Sequence, residues 1–212
     1  MGTYQKSNYY DEAYGKGTYD VEPKSLHHYH MNWSAAVDAV TQMIHLQRRG
    51  EEFLDTGVKT NIENIVDLGC GPGHFGQMIN IKGIKYYGYD FSKVAIKKAK
   101  NRLSGHLNKH VSVMDLEKDF PKHKNPLYTA FEFFEHIPFD VDIINKLSKD
   151  DFIIFSVPSF DTESHVQHFP THEDVYEKYE KHLNGVQIIF SAGGTTPEGI
   201  KHIIYVVLGR KK

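Results

Sequence analysis

The chain has 212 residues, of which 40% are hydrophobic and 25% charged, with a formal net charge of −2. That length suits one α/β domain with a sizeable core and a short appendage. So balanced a charge excludes a general basic field for gripping nucleic acid. A single cysteine, Cys70, excludes an intrachain disulfide framework and suits a reducing compartment. The N-terminus lacks the profile of a signal peptide, and no apolar run is long enough to cross a bilayer, so a cytoplasmic location away from membranes is expected.

From Met1 to Tyr29 the chain is rich in tyrosine, glycine and charge, with Tyr9, Tyr10, Tyr14, Tyr19 and Tyr29 recurring. So many rings are unusual in a segment that never orders. Residues 1–31 are therefore expected to form an aromatic flap over a ligand mouth, and residues 32–212 the domain proper. Asn32 to Arg49 reads as a helix, because Ala36, Val37, Val40, Met43, Ile44 and Gln47 fall near one face. Ile65-Val66-Asp67-Leu68 is an apolar run, the signature of a buried strand, and it breaks into the glycines of Gly69-Cys70-Gly71-Pro72-Gly73. A helix over Gly76–Asn80 follows, and a second strand over Lys85–Tyr89. Ser92 is the expected N-cap of a helix over Lys93–Leu103. A third strand, Val111–Met114, ends at Asp115, and a fourth, Leu127–Phe133, leads into Glu135-His136-Ile137-Pro138. A helix over Val141–Leu147, a fifth strand over Phe152–Val157 and a helix over His172–Lys181 come next, the last with Thr171 and Asp174 as a capping box. Strands Val186–Phe190 and Ile203–Leu208, joined by a turn at Gly193–Pro197, close the chain. Strands alternating with helices predict a doubly wound, mostly parallel sheet, and the terminal hairpin makes its last strand antiparallel.

The glycine turn between a strand and a helix brings bare backbone and a helix N-terminus against a ligand. Asp90, about 20 residues beyond it at the next strand end, is placed to hold ribose hydroxyls. Two frames overlap at the turn. Gly71-Pro72-Gly73-His74-Phe75-Gly76 fits the dinucleotide pattern, whereas Asp67-x-Gly69-x-Gly71-x-Gly73 is led by an acid. A carboxylate would repel a pyrophosphate but attracts an ammonium or a sulfonium, so Asp67 favours a cationic nucleoside over a dinucleotide. Phe91 is set to stack on adenine, Asp115 to accept from its amino group, and Met114 to pack on the ring or donate its backbone amide.

Taken in order, Asp67 to Gly73, Tyr89-Asp90-Phe91-Ser92, Met114-Asp115 and Phe131 to Ile137 resemble the successive motifs of the class I S-adenosylmethionine-dependent methyltransferases. The resemblance implies a Rossmann-like fold, S-adenosyl-L-methionine as methyl donor, and Asp67, Gly69, Gly71, Gly73, Asp90, Phe91, Met114, Asp115 and Glu132 as its contacts. It leaves the acceptor open. Glu135-His136 at the fourth strand end, with His165 or His168 after the fifth, is the sharpest hint. In small-molecule members such a pair works without metal, and His136, His165 and His168 would act as base or orienting groups on a hydroxyl or amine. Alternatively, Glu132, Glu135, His136 and one of His165 or His168 resemble the metal-ligand set of small-RNA 3′-terminal 2′-O-methyltransferases, suited to Mn²⁺ or Mg²⁺. A third reading is a domain that binds the donor without turnover. The primary expectation is a small-molecule acceptor and no metal, with RNA as the alternative partner.

Overall fold

The computed structural model describes residues 2–17, 27–53, 60–195 and 201–212. Its elements in chain order are α1 (Ser7–Gly15), α2 (His27–Arg49), β1 (Asn64–Leu68), α3 (His74–Met78), β2 (Lys85–Asp90), α4 (Lys93–Arg102), β3 (Lys109–Val113), β4 (Pro126–Ala130), a 3₁₀ turn (Phe134–His136), α5 (Asp140–Lys146), β5 (Phe152–Pro158), α6 (His172–Tyr179), β6 (Leu183–Thr195) and β7 (Lys201–Lys211). The seven strands form one sheet in the order β3-β2-β1-β4-β5-β7-β6. Strands β1 to β5 pair in parallel, and β7 runs antiparallel to both β5 and β6. This is the doubly wound sheet with a terminal hairpin that the alternation of elements predicts. The turn residues Thr196 and Pro197, like Tyr19 of the aromatic leader, lie outside the described residues.

Strand periodicity divides the core in two. Ile65, Leu127, Ile154 and Val206 face one side, packed with Ala36, Val40, Met43 and Ile44 of α2. Val66, Tyr128, Ile153 and Phe155 face the other, packed with Ile143 and Ile144 of α5 and Val175 and Tyr179 of α6. Because both faces are covered, β1 and β5 are buried throughout and read as continuous apolar runs. Gln47 ends the buried stripe of α2 by exchanging both side-chain amide groups with the backbone of Ile62. Ser92 caps α4 by accepting from the Ala95 amide, and Thr171 with Asp174 closes a capping box on α6.

Several boundaries depart from the expected pattern: α2 begins at His27 and not Asn32, β6 runs on to Thr195 through Gly193 and Gly194 of the expected turn, and α1 is a helix in the leader; at the fourth strand the reason is local. The fourth strand stops at Ala130 instead of running to Phe133. Glu132 adopts a left-handed backbone, φ 50°, which no strand accommodates. Ser156 of β5 holds it there: the Glu132 amide donates to Ser156 Oγ at 2.8 Å, and that hydroxyl donates to Glu132 Oε1 at 2.8 Å.

Ahead of α2, residues 2–17 cross the carboxyl end of the sheet, with α1 docked on α4. Asp11 Oδ1 accepts from the Ser92 hydroxyl at 2.5 Å and from the Val94 amide at 3.2 Å, at the N-terminal end of α4 where an anion is favoured. Lys98 Nζ donates to the Tyr14 carbonyl at 2.6 Å. At the other end of the segment the Gly2 amide donates to the His165 carbonyl at 2.6 Å. Asp11 ties α1 to the start of α4 with two hydrogen bonds, so Asp11→Ala should speed amide exchange across residues 7–15 by roughly tenfold, the equivalent of about one hydrogen bond, with little change in global melting temperature. Unchanged exchange in that helix would show that Asp11 does not hold it.

Candidate active site

The carboxyl ends of β1, β2, β4 and β5 surround two adjoining hollows, one smaller and one larger. Tyr10, Tyr14, Gly69, Glu132 and His136 line both and form the partition between them. Gly69 and Asp90 bound the smaller one, with Phe91, Met114 and Asp115 along its wall. Asp67, Gly71, His74 and His165 line the larger.

The glycine turn is cut to shape by its neighbours. Gly69 sits at φ 71°, and a Cβ there would fall 2.5 Å from the Phe133 ring. Gly71, at φ 51°, lies under the Tyr14 hydroxyl, which is 3.1 Å from where its Cβ would be. Asp90 braces the turn from below. Its Oδ2 accepts from the Gly71 amide at 3.0 Å and its Oδ1 from the Ser92 amide at 2.8 Å, and each oxygen keeps acceptor capacity for a guest. Burial raises its pKa to about 6 in spite of those two donors.

Asp67 lies deeper than the order of residues suggests. It is only 2% exposed and its oxygens accept from Tyr86 Oη at 2.5 Å and Thr129 Oγ1 at 2.8 Å. It acts from beneath the turn, at the floor of the larger hollow. Burial raises it to about 7, with Asp90 adding to the rise. Cys70 is buried with its sulfur against Gly88, and its thiol is pushed well up by the same burial.

On the wall of the smaller hollow, Met114 keeps its side chain available, but its amide donates to the Asp90 carbonyl at 2.9 Å. Only the packing role foreseen for Met114 is therefore open. Asp115 accepts from Lys118 Nζ at 2.5 Å, which holds its carboxyl below the usual range. Tyr4 and Tyr10 complete that wall, with the Tyr10 ring 5.4 Å from Phe91 on one side and 6.1 Å from His136 on the other.

At the β4 end, the 3₁₀ turn and the loop after β5 converge. Val166 donates to the Glu135 carbonyl at 2.8 Å, and Gln167 Nε2 donates to the carbonyls of Phe134 at 2.5 Å and Ile137 at 3.2 Å. This stitching brings Glu135, His136 and His165 together, with one ligand atom of each within 4.8 Å of the others. Glu135 is fully buried, and neither of its carboxylate oxygens receives a hydrogen bond. Glu132 lies within hydrogen-bonding reach of it. Burial drives Glu135 up to about 8 and Glu132 well above the carboxylate range, the latter also through the charge of Glu135. Both histidines are lowered by burial and so are neutral at pH 7. Their Nδ1 atoms lie 3.0 Å from backbone carbonyls, His136 from Ser164 and His165 from Phe160. That pairing puts the proton on Nδ1 and leaves Nε2 bare, the tautomer in which a second partner fixes a metal-binding imidazole. His168 does not join this group; it lines a separate shallow hollow with Lys178 and Asp174.

Ser156, Gln167 and Ser164, which build this corner, carry no sequence signature of their own. Trp33, stacked on His74 at 5.6 Å, and Phe160 also line the larger hollow.

A family profile described as a methyltransferase domain matches residues 66–149. Residues 66–149 form a methyltransferase domain. No curated protein matches the sequence. Among solved structures, the fold aligns with magnesium protoporphyrin IX methyltransferase from Synechocystis PCC 6803 with bound SAH at a TM-score of 0.61 and 14% identity, over 98% of this chain and 100% of that one. Phosphoethanolamine N-methyltransferase 2 from Haemonchus contortus aligns at 0.57 and 11%, over 81% of this chain and 52% of that one. The CurJ carbon methyltransferase aligns at 0.56 and 11%, over 74% of this chain and 50% of that one. At such identities the likeness is one of fold, and the acceptors these proteins are named for differ. No described helix of the methyltransferase is long and apolar enough to cross a membrane.

The Glu132–Glu135 pair makes a direct stability prediction. A folded pKa near 8 for Glu135, against an ordinary 4.5, means that the bound proton stabilises the fold fully below about pH 4.5. That contribution is lost as pH rises through about 8. In chelator, thermal melts should therefore fall between pH 6 and pH 9, and Glu135→Gln, which is neutral throughout, should flatten that fall. Parallel pH profiles for the two proteins would contradict it.

Proposed function

We propose that this methyltransferase takes S-adenosylmethionine in the two hollows, holds a divalent cation between Glu132, Glu135, His136 and His165, and methylates a ribose hydroxyl at the 3′ end of an RNA. The observation that carries the reading is the Glu135 carboxylate, buried with neither oxygen hydrogen-bonded beside two neutral histidines with bare Nε2 atoms. An unpaired buried carboxylate is costly, and a cation removes that cost. Mixed carboxylate and imidazole donors suit Mn²⁺, or Mg²⁺ with retained waters.

The donor fits the remaining features. Asp90 has acceptor capacity for the ribose hydroxyls, Phe91 and Met114 offer apolar walls for the adenine, and Asp115 can accept from its amino group. Gly69 and Gly71 leave the backbone bare for the amino-acid end, with the Asp67 charge beneath it. The structures of fold relatives named with bound SAH support this assignment. The methyl group passes from sulfur to the acceptor oxygen as the C–S bond breaks and the C–O bond forms, leaving S-adenosylhomocysteine and the hydroxyl proton. The protein's part is to align the two partners and exclude water between them, which is a large share of catalysis in such a displacement. A divalent cation at the cluster would supply Lewis acidity to the acceptor hydroxyls. Glu132, clamped in its left-handed backbone by Ser156, sits at the partition and so spans donor and acceptor sides.

Incubation with chelator should abolish methyl transfer to a short RNA with a free 2′,3′-diol, and Mn²⁺ should restore it. Glu132→Gln or His165→Ala should reduce the rate at least 100-fold, in the range seen when metal-site or transition-state contacts are lost. Full activity in chelator on a small hydroxyl or amine acceptor would favour the metal-free reading instead. Donor binding without any methyl release would favour a sensor.

Asp67 gives an independent test of the donor. In the free protein its carboxyl holds a proton below about pH 7, and a cationic amino-acid end favours the carboxylate. Binding therefore releases a proton, and affinity for S-adenosylhomocysteine should rise with pH, by at most about tenfold per unit, levelling above about 7. Calorimetry with Asp67→Asn should show a flat profile. A wild-type affinity unchanged between pH 6 and pH 8 would remove Asp67 from the donor site.

A further inference from the structure

The larger hollow continues outward from the metal-type cluster along a line of rings. The His136 and His165 centroids are 5.2 Å apart, His165 and Phe160 are 5.7 Å apart, and Phe160 stacks on His202 at 4.3 Å with 14° between their planes. The backbone holds this arrangement. Ser159 donates its amide to the Ile203 carbonyl at 2.7 Å, and the Ile203 amide donates to Ser159 Oγ at 2.9 Å, locking the end of β5 beside the start of β7. Phe160 thus lies against His202, while its own carbonyl takes the His165 Nδ1 contact. One residue therefore fixes the ring that faces the cluster and also offers a half-buried aromatic face to the hollow.

Among the described residues lining this hollow there is no lysine or arginine. A guest's phosphates therefore meet no cationic side chain in that lining, while Phe160 offers an aromatic face. We infer that Phe160, backed by His202, is the stacking platform for the base of the acceptor nucleotide whose ribose sits at the cluster. Stacking tolerates any base because every base presents a π-face, so this subsite selects a nucleotide end without selecting its sequence. The inference rests on the RNA-terminus reading above and adds to it the group that receives the base.

The test uses a short RNA ending in 2-aminopurine, whose fluorescence is quenched on stacking, titrated with the full chain in the presence of S-adenosylhomocysteine and Mn²⁺. Wild type should bind and quench it. Phe160→Leu, which keeps apolar bulk, should bind about tenfold more weakly, within the usual range for loss of one base–aromatic contact, and leave the bound probe bright. Phe160→Trp should restore both affinity and quenching, and thermal melts of each variant report on its fold. Anisotropy separates the failures. A probe that binds wild type but stays bright overturns the platform and leaves the RNA reading intact, whereas a probe that does not bind at all overturns both. Equal binding and quenching by wild type and Phe160→Leu likewise overturns the platform.

Discussion

Buried carboxylates without protein cations govern this site. Asp67, Asp90, Glu132 and Glu135 cluster at the carboxyl ends of β1, β2 and β4, and burial raises the pKa of every one of them. Taking an ionised carboxylate out of water is expensive unless it is paired. Hydrogen bonds offset part of that cost for Asp67 and Asp90, through Tyr86, Thr129, Gly71 and Ser92. For Glu135 the neighbouring Glu132 side chain and nearby backbone amides offset only a small part of it. None of the described residues lining the two hollows is a lysine or arginine, so positive charge has to arrive with the guests. A sulfonium and ammonium at one end and a divalent cation at the other would meet that need and draw these carboxyls into their ionised form.

How much of this could be read from the sequence depended on the period and spacing of each signal. The sheet order and the hairpin follow from alternating strands and helices, because a strand buried on both faces shows as an apolar run. Ser92, Thr171 and Asp174 were legible as caps because capping is a local affair of three or four residues. The end of β4 was not legible: a run from Leu127 to Phe133 looks like one strand, and only the hydroxyl of Ser156, 24 residues further on, explains why Glu132 turns left-handed. Likewise nothing at Met114 indicates that its amide is consumed by Asp90, since that bond depends on how β2 and β3 end in register.

The acceptor end shows the same limit more sharply. Glu135 and His136 announce themselves by adjacency, but the choice between His165 and His168 depends on the path of one loop. Val166 and Gln167 bond to the 3₁₀ turn and thereby rotate His165 toward Glu135, while His168, three residues on, faces α6. Two histidines on a loop of no fixed period are indistinguishable in sequence; the backbone bonds separate them. The donor end is defined by glycines and strand ends, features of the fold itself. That is consistent with fold relatives at 11–14% identity whose named acceptors differ.

Residues 2–17 tie the two ends together. Tyr10 lies between Phe91 on the donor side and His136 on the acceptor side, and Gly2 is bonded to the carbonyl of His165. A guest that orders this segment from the donor side therefore also restrains the loop that supplies His165. Such coupling needs no large movement, because the segment is already docked through Asp11. It needs only that the docked arrangement be preferred more strongly once the donor hollow is filled, which is linkage between two sites through a shared element. The tyrosine-rich leader is thus built into the walls of both hollows: Tyr10 and Tyr14 line the two of them, and Gly2 is bonded to the loop that carries His165.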